Sequence, residues 1–495
     1  MNAMKITPSL AEFRRLAERS SVIPIRLTLL SDRETPVSVF DKLVGESPGF
    51  LLESLEGGER WARWSFLGWD PIFTLTGQDG KSRIDHPGVR VPEGDPLTVL
   101  EKLLARYATE PLEGLPPLHS GAVGYLSYDA VRYIEHLPDR PLDDRGLPEM
   151  IWQFVGSLAA LDHPGQTLHL IRNVIPSLEG DLDAAYSHAV ARLERAAGQI
   201  GTPLRYQPSV KPYRSARPDL PLTSSMSRAE FEQAVLKVKD YIREGDAYQV
   251  VLSRRMGTPF KGNPFGLYRA LRLINPSPFL FYLHNPEVTV VGSSPELMTR
   301  VRDNTVFSRP IAGTRRRGES EAEDLALEEE MLADPKERAE HVMLIDLARN
   351  DLGRVCDFGT VSVDDLMVVE RYSHVMHMVS GVSGRLREGL GPVDVIRAVF
   401  PHGTVSGAPK VRAMEIIDEI EPVARGPYAG AAGYVDFSGN VDTAICLRTV
   451  VVADGTAWVQ AGAGLVADSD PAAEFQETED KAAAALAAVV GADQI

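Results

Sequence analysis

The chain has 495 residues, 44% of them hydrophobic and 24% charged, with 52 Lys and Arg against 69 Asp and Glu for a net charge of −17. That composition is ordinary for a globular protein, and the length exceeds one simple core, so two domains or one large composite domain are expected. The negative balance argues against nucleic-acid binding, no apolar run is long enough to predict a membrane-spanning helix, and Cys356 and Cys446 alone make neither a disulfide framework nor a cysteine-rich zinc site.

The opening residues, MNAMKITPSLAEFRRLAERSS, lack the apolar core of a secretory signal and read as an amphipathic helix, and the usage of only two cysteines fits a reducing cytoplasm, where the chain is expected. Residues 23–30 read as a strand. Thr35 followed by Pro36 starts a helix over 36–44, because proline at the first helical position loses no intrahelical bond. Residues 50–54, 61–67 and 72–76 form a strand-rich region broken at Gly57-Gly58, and Asp95-Pro96 repeats the cap-and-proline signal for a helix to residue 107. Strands are expected at 121–128, 150–161 and 167–174, and a helix at 181–197. Between 201 and 225, Pro203, Pro208, Pro212, Pro218 and Pro221 with little apolar periodicity mark a linker. It divides an N-terminal region, 1–200, from a C-terminal region, 226–495.

Beyond the linker, Ser227 and Glu230 form a capping box ahead of Phe231, Val235, Val238 and Ile242 at helical spacing. Strands are expected at 249–254, 279–284 and 288–293, with a helix at 264–274, and Ala408-Pro409 opens a helix to residue 420. Residues 430–437, 441–452 and 457–461 read as a meander, and Asp470-Pro471 caps a last helix reaching residue 490. Hairpins interspersed with helices predict an α+β fold with antiparallel sheets.

The stretch 308–355 carries the densest chemistry. An extended segment closes on Ile311-Ala312-Gly313-Thr314, three arginines follow (Arg315, Arg316, Arg317), and an acidic helical tract ends in Glu337, Glu340 and His341. Glu337 and Glu340 stand three apart on one helix face, beside Leu344 and Leu347. That is either a solvated acidic face or a seat for a hard cation such as magnesium.

Four words in this order, PIAGTRRRG at 310–318, EHVMLIDLARNDLGRV at 340–355, GTVSGAPKVRAME at 403–415 and QAGAGLVADSDP at 460–471, resemble the signatures of the chorismate-utilising enzymes. Within them the likeness is to the anthranilate synthase large subunits, over residues 50–481. The resemblance implies two large antiparallel β-sheets packed together with helices outside and the site between them. It implies conversion of chorismate and ammonia to anthranilate and pyruvate in tryptophan biosynthesis.

On the same resemblance, Glu340 and Glu477 match Mg2+ ligands, although Glu477 and Lys481 alone would read as an exposed i,i+4 pair. Lys481 then faces the ring carboxylate. Tyr428, Arg448 and a Gly462-Ala463-Gly464 loop match contacts to the pyruvyl carboxylate; Arg448, in the strand-like run ICLRTVV, is either buried for function or turned to solvent. Gly313, Thr314 and Thr404 match positions lining the ring. Glu296, in GSSPELM, matches the acid beside the departing hydroxyl, and would otherwise be a strand-end turn residue. His377 matches the histidine of the elimination half; His374 is a competitor, and a core imidazole is the other reading.

Gln249 and Ala312 stand where water-adding and aminodeoxychorismate-forming relatives carry lysine, which favours anthranilate as product. Neither cysteine has the setting of an amidotransferase nucleophile, so ammonia is expected from a separate glutamine amidotransferase subunit, in a hetero-oligomer. Glu53 and Ser54 in LLES, with Pro278, Phe279 and Leu280 in NPSPFLF, resemble a tryptophan feedback site; many relatives have tyrosine and methionine at the last two positions.

Overall fold

The computed structural model describes residues 5–55, 63–109, 114–204, 220–372 and 375–495. Its backbone is built on two antiparallel sheets. In the first, the strands run in the order Ile6–Thr7, Ile23–Leu30, Thr167–Val174, Ser157–Asp162, Trp64–Trp69, Gly49–Glu53, Phe279–His284, Thr289–Ser294, Thr449–Ala453, Thr456–Leu465, Gln249–Pro259, Thr223–Ser224, with Gly407–Ala408 pairing Gln249–Pro259 beside this path. In the second the order is Ile311–Arg316, Val375–Arg385, Thr305–Ser308, Leu297–Arg302, Val441–Ile445, Ala431–Val435, Ala122–Leu126, Met150–Phe154, Phe73–Gln78, Lys81–Ile84, with Ser362–Arg371 pairing Val375–Arg385.

Each half of the chain therefore supplies one contiguous block to both sheets. The halves join where Leu280 pairs with Glu53 in the first sheet and Gly433 with Gly124 in the second. The expected linker falls between these halves. Residues 205–219 lie outside the described residues, as do 56–62 with Gly57, Gly58 and Trp61.

The sheets face each other across an apolar layer that includes Phe50, Phe66, Tyr125, Ile151, Leu158, Phe281, Val290 and Tyr434. Helices cover the outer faces: Pro36–Leu43, Leu182–Ile200, Pro264–Ile274 and Pro471–Gly491 pack on the first sheet, and Pro96–Arg106, Pro335–Gly353 and Pro392–Val399 on the second. The capping signals hold. Ser9, Thr35 and Ser227 close capping boxes, Asp95 and Asp470 accept backbone N–H bonds ahead of a proline, and Gly245 ends its helix at φ +89°.

Two expected strands need correction. Residues 150–161 split into Met150–Phe154 in the second sheet and Ser157–Asp162 in the first, and residues 441–452 split into Val441–Ile445 in the second and Thr449–Ala453 in the first. The chain crosses between sheets within a few residues, so the expected three-strand meander does not lie in one sheet. Trp64–Trp69 to Phe73–Gln78 and Thr289–Ser294 to Leu297–Arg302 cross in the same way. Both sheets present an apolar face inward, so hydrophobicity continues across each crossing and hides it.

Candidate functional site

Two of these crossings lie side by side and open the site. Ile445 N–H donates to Glu296 O at 3.1 Å and Ser293 N–H to Arg448 O at 3.3 Å, so Pro295-Glu296 runs against Cys446-Leu447-Arg448 where both strands change sheet. Arg448 takes φ +47°, a left-handed conformation that costs about 1 kcal/mol or more outside glycine. The run ICLRTVV is thus not a strand at its centre, and its arginine is half-buried, neither enclosed nor free in solvent.

Glu296 is 7% exposed, and its Oε1 has no hydrogen-bond partner. Burial pushes its pKa up to about 7 against the Lys481 ammonium, and the Thr404 hydroxyl opposes that rise only where it donates to the carboxylate. Thr404 lies on the short helix Gly403–Ser406, capped by His402, whose Nδ1 is 2.9 Å from Thr404 Oγ1 and 3.5 Å from Glu296 Oε1.

His377 is paired across the ladder with Thr314 and lies 2.9 Å through Nδ1 from its Oγ1. Burial, with the Arg448 charge adding, draws its pKa down to about 4 and keeps the imidazole neutral. Gly313 sits in the bulge beside Thr314 at φ +60°, where glycine carries no steric penalty. Tyr372 meets the His377 ring edge-to-face at 5.6 Å. His374 lies outside the described residues.

The carboxylates come from two helices. Glu340, on Pro335–Gly353, is half-buried, and its pKa is raised by burial, then by Glu337, with Glu477 adding. Gln249 Nε2 lies 3.5 Å from its Oε1. Glu477, on Pro471–Gly491, is ion-paired with Lys481 at 2.6 Å, and Lys481 also donates to Gly462 O at 3.1 Å. The acidic tract is two helices, Glu321–Ala333 and Pro335–Gly353, divided at Asp334-Pro335. Glu337 stays near Glu340 and Gly313 but is held by Arg315 at 2.9 Å. His341 turns inward to Ser380 Oγ at 2.7 Å.

Gly462-Ala463-Gly464 is not a loop but part of the strand Thr456–Leu465, which corrects the expectation of a glycine turn. The strand pairs with Gln249–Pro259 along its whole length, whereas Thr449–Ala453 covers its other edge only from Thr456 to Val459. The uncovered edge carries Gly462 O, bonded to Lys481, so backbone groups still face the cleft. The glycines are needed for close approach: a Cβ at Gly462 would sit 2.8 Å from Tyr428 Oη, and one at Gly464 2.8 Å from Gln249 Nε2. The expected site residues are thus joined in small groups: Glu296 with Thr404, Thr314 with His377, and exposed Glu477 through Lys481 to Gly462.

A second cavity lies between the sheets at the seam of the two halves, with about 780 Å³ of empty space, part of it continuous with solvent. Ser54, Pro278 and Phe279 line it with Phe66, Arg300 and Tyr434. Glu53 and Leu280 border it from a strand pair whose alternation turns their side chains away. Glu53 is held by Tyr268 and by Arg272 at 3.0 Å, and Leu280 packs in the core on the helical side.

Residues 48–487 match the family of chorismate binding enzymes. The chain belongs to that family. It is 46% identical to anthranilate synthase component 1 of Acetivibrio thermocellus over 99% of both chains, and 46% identical to that of Pseudomonas aeruginosa over 98% and 99%. The solved anthranilate synthase component I of Streptococcus pneumoniae superposes with a TM-score of 0.77 at 34% identity, covering 92% of this chain and 98% of that one. The menaquinone-specific isochorismate synthase of Escherichia coli, at 19% identity and a TM-score of 0.71 over 97% and 98% of the two chains, shares the fold.

Sequence reading did not single out three buried residues that contact the expected site residues or their supports. His402 directly precedes the word GTVSGAPK and caps its first turn. Glu421 and Arg425 form a wholly buried i,i+4 pair at 2.6 Å; Arg425 also donates to Val405 O and Val251 O, each at 2.7 Å, and lies over the rings of Tyr128 and Tyr428. The spacing EPVAR was the available signal, but an i,i+4 pair reads as surface until burial is known. Cys356 is buried, and burial pushes its thiol up to about 11; Cys446 is buried and raised further.

Proposed function

We propose that this chain is the large subunit of an anthranilate synthase, converting chorismate and ammonia to anthranilate, pyruvate and water. The observation that carries the reading is a buried acid near neutrality (Glu296) at the crossing that also carries Arg448, whose charge reaches a neutral imidazole (His377), in a chain similar to such subunits from end to end.

Ammonia adds to the ring, and the ring hydroxyl leaves as water with the proton of Glu296. A hydroxyl is a poor leaving group unless protonated, and a carboxyl with its pKa near 7 holds that proton at working pH. His377, neutral and steadied by Thr314, is available to manage the ring proton as the ring becomes aromatic and pyruvate departs. Arg448, Tyr428 and the uncovered edge at Gly462-Ala463-Gly464 offer donors to the pyruvyl carboxylate, and Gly313, Thr314 and Thr404 border the ring.

The residues present suit magnesium. Glu340 and Glu477 face each other closely enough for one to raise the other's pKa, and Mg2+ is commonly held by one or two carboxylates with waters completing its shell. When bound, the ion would neutralise the ring carboxylate; Lys481, one turn from Glu477, would share that task. Gln249, bonded to Glu340, cannot act as the base that a water-adding enzyme needs, and Ala312 leaves no amine beside the ring.

Glutamine-derived ammonia would come from a separate amidotransferase subunit, since both cysteines are buried thiols. Tryptophan would bind the cavity at the seam, its indole among Phe66, Phe279 and Tyr434 and its backbone groups toward Ser54 and the arginines. Purified chain incubated with chorismate, magnesium and ammonium should generate the fluorescence of anthranilate. Accumulation of a non-aromatic aminated product, or of isochorismate, would overturn the assignment.

A further inference from the structure

We propose that His402 is a positioning residue for Glu296: it draws the Thr404 hydroxyl to its own ring and so leaves the Glu296 carboxyl in the proton-bearing form. This deepens the reading of Glu296 as the acid and rests on it.

The geometry begins with a backbone amide. Thr404 N–H points at His402 Nδ1 at 3.5 Å as the cap of Gly403–Ser406, and an amide can only donate. Nδ1 therefore carries no proton and acts as an acceptor. Thr404 Oγ1, 2.9 Å from the same nitrogen, then donates its hydrogen to it. The same hydroxyl is within bonding reach of Glu296, whose Oε1 has no partner and lies 3.5 Å from Nδ1.

A hydroxyl has one hydrogen to give. Given to Glu296, it would stabilise the carboxylate; given to His402, it leaves only oxygen lone pairs toward Glu296, which can bond them only as an O–H donor. Two cations bear on the pair. Lys481, from Pro471–Gly491, favours the ionised Glu296, and Lys410, from Lys410–Ile420 and bonded to Asp351 at 2.7 Å, disfavours a protonated His402. The imidazole is wholly buried, and burial, aided by Lys410, draws it down to about 3, so it stays an acceptor over the working range.

The test is direct titration of Glu296 by carbon NMR on protein labelled at the glutamate side-chain carboxyl. The buffer is metal-free without substrate, and the signal is assigned by its loss in Glu296→Gln. His402→Phe keeps a ring and removes the acceptor; Glu296 should then titrate about one pH unit lower, the size of one hydrogen bond to a charged group. His402→Asn, whose Oδ1 can take the place of Nδ1, should restore it. Thr404→Val removes the oxygen that accepts from the protonated carboxyl, so it should lower the titration below wild type and cancel any effect of His402→Phe added to it. An unchanged titration in His402→Phe, or a shift that persists in the Thr404→Val background, would overturn the proposal. If His402→Phe does not fold, Thr404→Val decides alone, and a titration that fails to fall there overturns it. Near-normal turnover in Glu296→Gln would defeat the acid reading while leaving the titration result standing.

Discussion

Replacing Glu296 by glutamine should stabilise this protein above neutral pH while removing its activity. Glu296 has an ordinary pKa near 4.5 when unfolded and about 7 when folded, because burial penalises the carboxylate. Below pH 4.5 both states hold the proton and the group contributes no difference. As pH rises from 4.5 to about 7 the unfolded chain releases its proton first, so stability falls across that window and then levels. The difference between those two values corresponds to roughly 3 kcal/mol lost by pH 8. Glutamine has nearly the same shape and no charge, so the variant escapes the loss. Urea unfolding of both proteins at pH 4.5, 6 and 8.5, in metal-free buffer, should show a stability difference that grows with pH toward about 3 kcal/mol in favour of Glu296→Gln. Its turnover should collapse because an amide cannot supply the proton. A difference flat across pH, or one favouring the wild type more at high pH, would refute the assignment of a buried, raised carboxyl.

Other predictions test the rest of the site. Glu340→Gln and Glu477→Gln should each abolish magnesium-dependent anthranilate formation in a folded protein, since an amide is a weak magnesium ligand; near-normal rates at ordinary magnesium would remove either residue from the metal site. The isolated chain should use ammonium but not glutamine, and anthranilate from glutamine with the purified chain alone would contradict a separate ammonia source. Ser54→Arg puts a charged side chain into the cavity at the seam and should relieve tryptophan inhibition with little change in uninhibited rate, read from inhibition curves. Calorimetry in magnesium-free buffer should find chorismate weakening tryptophan binding by the factor that tryptophan weakens chorismate binding. Arg425→Met should cost about 3–5 kcal/mol by leaving Glu421 buried without a partner, and adding Glu421→Leu should recover much of that loss in the same unfolding assay.

The sequence by itself determined the local grammar. Asp95-Pro96, Asp470-Pro471 and the Ser227–Glu230 box start helices because capping and proline act within one turn, where neighbours in sequence are neighbours in space. The order of the matching words was enough to place the chain in its family and to point to Glu296, Glu340, His377 and Glu477. Sheet membership was not legible: residues 150–161 and 441–452 look like single strands because both halves of each bury an apolar face. Only the pairing partner, far away in sequence, decides which sheet receives them. The same distance in sequence hid the uncovered edge at Gly462-Ala463-Gly464. Only tertiary structure turned Glu337 to Arg315 and Glu53 to Arg272, for a carboxylate takes whichever cation the fold brings near. It alone enclosed Glu296 with Thr404 and His402, because a carboxyl's proton affinity is set by what surrounds it, and the sequence does not write those surroundings next to it.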